Sequence, residues 1–197
     1  MINPKREDCR AGLDHLAGVG MAFYLLIELR RQLRARHFWQ DRPEPNLKQF
    51  CSLVALGTIA DMVPLIEENR AFIRAGLPSM TARPGIKALM AASRIHPDRV
   101  ASDDVAFRLA PRLNAAGRVA HASLALRLLT TDNPRHAERM ARTLDRLNTR
   151  RQQMEAPAQA GDGCQYGRRD PPVQHLSGGE VESTGENQHG TGLTGGA

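Results

Sequence analysis

Asp61 is the one carboxylate in the apolar run VALGTIADMVPL at residues 54–65. A carboxylate buried among apolar side chains is costly unless a cation, a metal ion or several N–H donors accompany it. The pattern therefore predicts a metal ligand or a paired acid at this position. The alternative is that Asp61 caps backbone N–H groups at a turn before Pro64, because Asp is a common capping residue.

A second segment, LAPRLNAAGR at residues 109–118, brings cations, an amide and a glycine together. Arg112 and Arg118 offer forked donors that suit phosphate oxygens. Asn114 offers an amide or tolerates an unusual backbone angle, and Gly117 allows close backbone approach. The segment lies between two helical patterns, so it predicts a phosphate-binding loop. The alternative is a polar loop between helices whose arginines are simply solvated.

The charge of the chain indicates a polyanionic partner. The total is +6, and the five acidic and two arginine residues after residue 155 leave −3 there, so the first 155 residues carry +9. Nucleic acid is the usual partner of such a basic body, although charge alone also fits a basic domain with no particular target. Aromatic residues make up only 4% of the chain, so platforms for base stacking are scarce.

Cysteine usage and hydropathy indicate a cytoplasmic protein. The three cysteines are far apart and form no CxxC or Cys/His metal pattern, which argues against a disulfide framework or a zinc site. The first residues show no apolar signal region. The longest apolar stretch, residues 19–27, is too short to cross a bilayer.

Apolar residues recur at helical spacing along most of the chain, and no convincing strand alternation occurs. Helices are predicted at residues 16–38, 47–57, 69–77, 84–93, 102–109, 121–130 and 133–155. From Ala156 onward the sequence is rich in glycine and poor in large apolar residues, so residues 156–197 are predicted to be a disordered tail.

Several short motifs follow one another in an order that resembles the DHH phosphoesterase family, and in particular its single-strand-specific DNA exonucleases. They are LAGVGMAFY at 16–24, Asp61 in its apolar run, ENR at 68–70, RPG at 83–85, the run at 109–118, SLALRLL at 123–129 and LNTRRQ at 147–152. The match covers about residues 1–155. It implies a mainly α-helical fragment of an α/β DHH phosphoesterase core.

The resemblance implies three parts of the chain. Residues 1–132 would be the C-terminal part of the DHH domain, residues 133–155 a long connecting helix, and residues 156–197 the disordered tail. Relatives continue into a domain with a Gly-Gly-His motif, which Gly178-Gly179-Glu180 does not match. A frameshift near residue 156 would explain this difference, and natural truncation is the alternative.

The resemblance also implies metal-dependent 5′-to-3′ hydrolysis of single-stranded DNA with Mn²⁺ or Mg²⁺, in DNA repair and recombination. Asp61 would be a catalytic metal ligand, and Arg112, Asn114 and Arg118 would contact backbone phosphate. The other metal ligands would precede Met1, so the chain alone is expected to be inactive. His15, His37, His96 and His121 match no ligand position and are expected to be surface or helix-end residues.

Further expectations concern partners and alternatives. The arginines of the long helix, Arg139, Arg142, Arg146, Arg150 and Arg151, would line the strand channel or form a solvated face. The protein would be a monomer, with single-strand-binding protein as an additional partner. The alternatives are a phosphoesterase acting on short or cyclic dinucleotides and a non-catalytic module that binds single strands.

Overall fold

The secondary structure of this chain is helical throughout the part that can be described. A computed structural model describes residues 3–161, with side chains as far as residue 155, and this range holds no strand. The prediction of a mainly α-helical chain is therefore confirmed for these residues. The α-helices are α1 (Gly18–Ala35), α2 (Cys51–Ala60), α3 (Glu67–Gly76), α4 (Pro84–Ala92), α5 (Ser102–Asp104), α6 (Ala110–Val119), α7 (Ser123–Thr130) and α8 (Pro134–Gly161).

Shorter helical turns link these helices. Three 3₁₀ segments lie at Leu47–Phe50, Leu77–Ala82 and Pro97–Arg99, and a π-helical turn lies at Val105–Leu109. None of the described helices is long and apolar enough to cross a membrane.

The N-terminal helices α1, α2 and α3 pack on one another. Phe23 of α1 meets Phe72 of α3 edge to face, with ring centroids 5.6 Å apart. At Gly76 an added Cβ would lie 2.3 Å from the carbonyl oxygen of Cys51, so only glycine allows α2 and α3 to approach this closely. α2 is almost entirely buried, so its position is fixed by the helices around it. Asp61, the residue that follows its last turn, therefore has a defined position at the surface.

The C-terminal helices α4, α6 and α7 pack against the long helix α8. Gly85 is required where α4 meets α7, since a Cβ there would lie 1.9 Å from the carbonyl oxygen of Leu128. The core continues from α2 and α3, through Leu56, Ile59 and Ile73, into the C-terminal helices. The largest fully buried apolar side chains of this core all lie from residue 80 onward: Met80, Ile86, Leu89, Met90, Val105, Leu109, Leu128 and Leu144.

The segment 109–118 is helical, which corrects the prediction of a loop. α5, the π-helical turn and α6 form one uninterrupted helical stretch from Ser102 to Val119. Neither Asn114 nor Gly117 has a positive φ, so neither supplies the unusual backbone angle that the sequence suggested. Burial of one side of this stretch favours the helix over a loop, because Ala110, Ala115 and Ala116 are buried in the core.

The π-helical turn lies directly before α6. The N–H of Ala110 donates to the carbonyl of Val105, five residues earlier. Pro111 follows in the first turn of α6, where its missing N–H is tolerated. π-Turns of this kind occur frequently at functional sites.

The long helix α8 begins at Pro134, close to the predicted start, and continues to Gly161. The predicted helix ends at residue 155, so the backbone remains helical for six residues that the sequence assigned to the tail. The rest of the predicted disordered tail, residues 162–197, lies outside the described residues.

Candidate functional site

Asp61 occupies the C-cap position of α2 and is exposed to solvent. Its N–H donates to the carbonyl of Gly57 at 2.9 Å, which closes the last turn. Met62 then adopts a left-handed conformation with φ 55°, and the chain turns away from the helix. The carboxylate is therefore presented at the surface, and not buried as its apolar neighbours in sequence suggest.

The side chain of Asp61 is available for an external ligand. It forms no hydrogen bond or ion pair with any residue in the described part of the chain, so the capping alternative is not observed either. An exposed, unpaired carboxylate at the end of a rigid helix can coordinate a divalent cation without first breaking an internal contact. One carboxylate is too few for a complete metal site, since such sites use several ligands.

Asn69 fixes the turn that follows Asp61. It is fully buried, and its Nδ2 donates to the carbonyl of Pro64 and to the carbonyl of His15, both at 2.8 Å. This amide therefore joins the 61–66 turn, α3 and the N-terminal segment. The sequence contained the residue within the ENR motif, but its positioning role depends on contacts between distant parts of the chain.

His15 is nearly buried, with a side chain that is 9% exposed, which corrects its assignment as a surface or helix-end residue. Its Nε2 lies 2.7 Å from Oε2 of Glu68 at the start of α3, and 4.0 Å from Oε2 of Glu67. The pKa of Glu68 is lowered, first by a hydrogen bond from its own backbone N–H and then by the His15 ring. This pair anchors the N-terminal segment on α3.

The ligand atoms of His15, Glu67 and Glu68 all lie within 4.8 Å of one another. Imidazole and carboxylate groups suit several divalent metals. In this conformation, however, His15 and Glu68 hydrogen-bond directly to each other, and Asp61 is not a member of the group. The arrangement is that of a structural His–Glu pair.

The three predicted phosphate ligands all lie on α6, but the structure does not bring them together. Asn114 and Arg118 are four residues apart on one exposed side of the helix. The Arg118 side chain is 65% exposed and makes only a distant ion pair, 3.9 Å, with Glu155 of α8. Both side chains are therefore accessible to an external anion.

Arg112 points instead toward α8. Its Nε donates to Asp145 at 2.8 Å and its Nη1 donates to the carbonyl of Arg108 at 2.7 Å. The side chain is only 18% exposed. Two of its donor nitrogens are thus engaged within the protein, so its geometry fits a residue that holds α6 on α8.

The helices that carry Asp61 and Arg112 belong to one packed body. α2 contacts both the π-helical turn and α6. A carboxylate available to a metal ion and an exposed amide–guanidinium pair are thus held on neighbouring helices.

Comparison with known proteins links this chain to one group of enzymes. No family model matches the chain. The chain is 45% identical over 165 residues to the single-stranded-DNA-specific exonuclease RecJ of Salmonella typhimurium, which covers 81% of this chain and 29% of that protein. The chain therefore spans less than a third of the length of this relative.

Two crystal structures of RecJ from Thermus thermophilus share its fold. The complex with Mn²⁺ matches with a TM-score of 0.63 and 37% identity, over 77% of this chain and 22% of that chain. The complex with Mg²⁺ matches with a TM-score of 0.54 and 40% identity, over 62% and 19% respectively. These relatives confirm the predicted resemblance to single-strand-specific DNA exonucleases, and their ions are the two that the resemblance implied.

Proposed function

We propose that this chain, a relative of RecJ over four fifths of its length, is part of a metal-dependent exonuclease that degrades single-stranded DNA from the 5′ end in repair and recombination. The observation that carries the proposal is the shared sequence and fold with RecJ structures that bind Mn²⁺ and Mg²⁺. The proposal covers the complete RecJ-like protein, because the chain corresponds to only 29% of its relative.

In this proposal Asp61 is a metal ligand. Bound Mn²⁺ or Mg²⁺ supplies an activated water molecule and stabilises the negative charge that develops on the phosphate. The support within the chain is the exposed carboxylate of Asp61 at a fixed helix end, held by the turn that Asn69 secures. The remaining ligands would come from other parts of the RecJ-like protein, so we expect residues 1–197 alone to show no nuclease activity.

The exposed side of α6 would hold the DNA backbone. Asn114 and Arg118 are accessible there, and an amide together with a guanidinium can donate several hydrogen bonds to one phosphate. Arg112 would act mainly as a positioning residue through Asp145, with the donors that remain on Nη2 directed to a phosphate. Single-stranded DNA is the expected substrate, and single-strand-binding protein is an expected partner of the complete enzyme.

The helices would form the covering layer of an α/β domain. α1 exposes an apolar face formed by Leu25, Leu26 and Leu29, although a helix of this length normally buries such a face. A sheet supplied by the rest of a RecJ-like protein would bury these residues. This is the α/β core that the resemblance implied.

A chimera tests the function directly. The matching segment of Salmonella typhimurium RecJ is replaced by residues 1–155 of this chain, and release of nucleotides from 5′-labelled single-stranded DNA is measured with Mn²⁺. We expect the chimera to be active and its Asp61→Asn variant to lose about 10³-fold in rate, since a metal ligand contributes several kcal/mol to the transition state.

Asp132→Asn provides the matched control, because Asp132 is also exposed and lies in the connection before α8. Its rate should equal that of the unmodified chimera. Equal activity of the Asp61→Asn and Asp132→Asn proteins would show that Asp61 is not a metal ligand. Preferential cleavage of dinucleotides over long single strands would favour the alternative class of phosphoesterase.

A further inference from the structure

Phe107 exposes an aromatic ring on the same helical stretch that carries the candidate phosphate ligands. Its side chain is 72% exposed, the largest exposed fraction of any aromatic residue that the structure describes. We propose that Phe107 stacks on a nucleobase of the single strand whose backbone lies at Asn114 and Arg118. The inference rests on the proposed function and adds a contact with a base to the contacts with phosphate.

The ring lies in line with the candidate phosphate ligands. The exposed residues of the continuous stretch 102–119 are Asp103, Phe107, Asn114, Gly117 and Arg118. Phe107 precedes Asn114 by seven residues, which is about two helical turns, so both side chains project from the same side of the stretch. Their separation along the helix axis is about 10 Å, which a strand of about three stacked nucleotides spans. A strand bound at α6 therefore reaches Phe107 without changing direction.

The backbone around Phe107 is fixed by packing and by hydrogen bonds. Val105 and Leu109, on either side of it in the π-helical turn, are fully buried. The neighbouring Arg108 donates from Nη2 to the carbonyl of Arg94 at 2.9 Å, which joins this turn to the end of α4. The exposed ring is therefore carried by a rigid element. A contact on a rigid element requires little ordering when a ligand binds, which favours affinity.

The ring of Phe107 stacks on no aromatic ring and on no guanidinium group among the described residues. The other exposed aromatic side chain there, Phe38, is covered by the guanidinium of Arg42, 4.2 Å from its ring centroid, and by the ring of Trp39. Every base has a planar face that can stack on an aromatic side chain. Phe107 is therefore better suited than Phe38 to receive a base.

The surroundings of the ring favour a base over an apolar protein surface. The other exposed residues on this side of the stretch are polar or lack a side chain, so no contiguous apolar patch of the kind found in the core of a protein interface accompanies the ring. Asp103 lies one turn before Phe107 and repels a phosphate placed directly beside the ring. Contact at this end of the stretch is therefore made through a base, while Asn114 and Arg118 hold the backbone.

Stacking on Phe107 gives a physical reason for a preference for single strands. In a duplex each base is stacked between its neighbours, and a side chain that inserts there must first unstack them. The bases of a single strand can be splayed out and stacked on aromatic side chains. Because every base has such a face, this contact does not select a particular sequence.

The test compares two DNA probes on the full 197-residue chain, in EDTA and at about 0.05 M salt, where phosphate contacts are strong. One probe is a fluorescent oligothymidylate, and the other is an abasic oligomer with the same number of phosphates. Phe107→Ala removes the ring, Phe107→Leu keeps an apolar side chain without a ring, and Phe107→Trp keeps a ring. Leu126→Ala is the matched control, since Leu126 is also largely exposed but lies on α7. Circular dichroism shows whether each variant is folded.

We expect Phe107→Ala to bind oligothymidylate about 5- to 100-fold more weakly, which corresponds to the loss of stacking on one base. Its affinity for the abasic oligomer and the salt dependence of binding should not change, since no phosphate contact is lost. Phe107→Leu should lose most of the same affinity, whereas Phe107→Trp should keep it, and this difference would show that the loss does not come from misfolding. Leu126→Ala should bind both probes as the unmodified chain does.

Equal losses for the two probes would overturn the proposal, because the ring would then not contact a base. Full binding of oligothymidylate by Phe107→Ala or Phe107→Leu would overturn it as well, and so would absence of binding by the unmodified chain. A melting temperature of the chimera that falls with Phe107→Ala but not with Leu126→Ala would assign the ring to a protein contact. Because the binding assay contains no metal and needs no cleavage, its failure is distinguishable from failure of the Asp61 experiment.

Discussion

At the scale of single residues, the candidate site depends on a buried amide that has no chemistry of its own. Asn69 holds the carbonyl of Pro64 in the turn after Asp61 and the carbonyl of His15 in the N-terminal segment. If Asp61 is a metal ligand as proposed, Asn69 would help to hold it in position, because it fixes the turn that follows Asp61.

Replacing Asn69 with alanine should destabilise the chain by about 2 to 3 kcal/mol, because a fully buried side chain that donates two hydrogen bonds is lost. Urea unfolding followed by circular dichroism measures the change. Asn114→Ala is the matched control, since Asn114 is exposed on α6 and forms no hydrogen bond with a described residue; it should shift stability by less than about 0.5 kcal/mol. Similar values for the two variants would contradict the positioning role of Asn69.

The His15–Glu68 pair makes stability depend on pH. The pKa of Glu68 is lower in the folded chain than its usual value, first because its own backbone N–H donates to it and then because His15 does. A lowered folded-state pKa adds stability above the unfolded pKa, and this contribution disappears as the pH falls through the folded value.

The unmodified chain should therefore be more stable to thermal unfolding than Glu68→Gln at pH 6. This difference in stability should decline steadily as the pH is lowered through the acidic range. Thermal unfolding of both proteins at matched ionic strength measures this difference. A difference that stays constant from neutral to strongly acidic pH would show that Glu68 acts only through its shape and not through its charge.

At the scale of elements, the helical conformation of residues 102–119 determines which arginine faces which partner. A loop would let Arg112, Asn114 and Arg118 converge on one phosphate. The helix separates them, since two residues along α6 turn the side chain to the opposite side. Arg112 is consequently fixed to Asp145 of α8, while Asn114 and Arg118 remain exposed.

A double-mutant cycle with Arg112→Ala and Asp145→Ala should give a coupling energy of about 0.5 to 1 kcal/mol in urea unfolding, as for a partly exposed ion pair. The pair Arg118 and Glu155, whose atoms are 3.9 Å apart and more exposed, serves as the control and should show almost no coupling. Absence of coupling would mean that the ion pair between Arg112 and Asp145 does not form in solution. The donors that Arg112 directs to Asp145 would then be available to a phosphate.

At the scale of the whole molecule, α1 leaves an apolar surface uncovered. Leu25 and Leu29 are each about half exposed, at 51% and 49%, and Leu26 lies beside them on the helix. Contiguous exposed apolar side chains of this kind usually mark an interaction surface or promote aggregation. The proposed α/β arrangement accounts for this surface, because a sheet would cover it.

The double variant Leu25→Gln/Leu29→Gln should make the isolated chain more soluble and more monomeric in size-exclusion chromatography with light scattering, with little change in its melting temperature. The same pair of substitutions should destabilise the chimera with Salmonella typhimurium RecJ by more than about 2 kcal/mol, because the proposed sheet would bury both side chains there. A chimera that tolerates them without loss of stability would contradict the covering role of α1.

The sequence by itself determined the helical class, the approximate position of most helices, and the relationship to single-strand-specific DNA exonucleases. These follow from local information, namely the spacing of apolar residues and the order of short motifs along the chain. Pro84 at the start of α4 and Pro134 at the start of α8 are examples of signals that lie entirely within the sequence.

Tertiary structure decided the environment of the functional residues. Asp61 is exposed because α2 ends at Ala60 and the next residues turn away, although its neighbours in sequence are apolar. His15 is nearly buried where it meets Glu68, a residue 53 positions later in the chain. The run at 109–118 is helical because its alanine face packs into a core built by distant helices, and burial of that face outweighs the local preference of Asn and Gly for a turn.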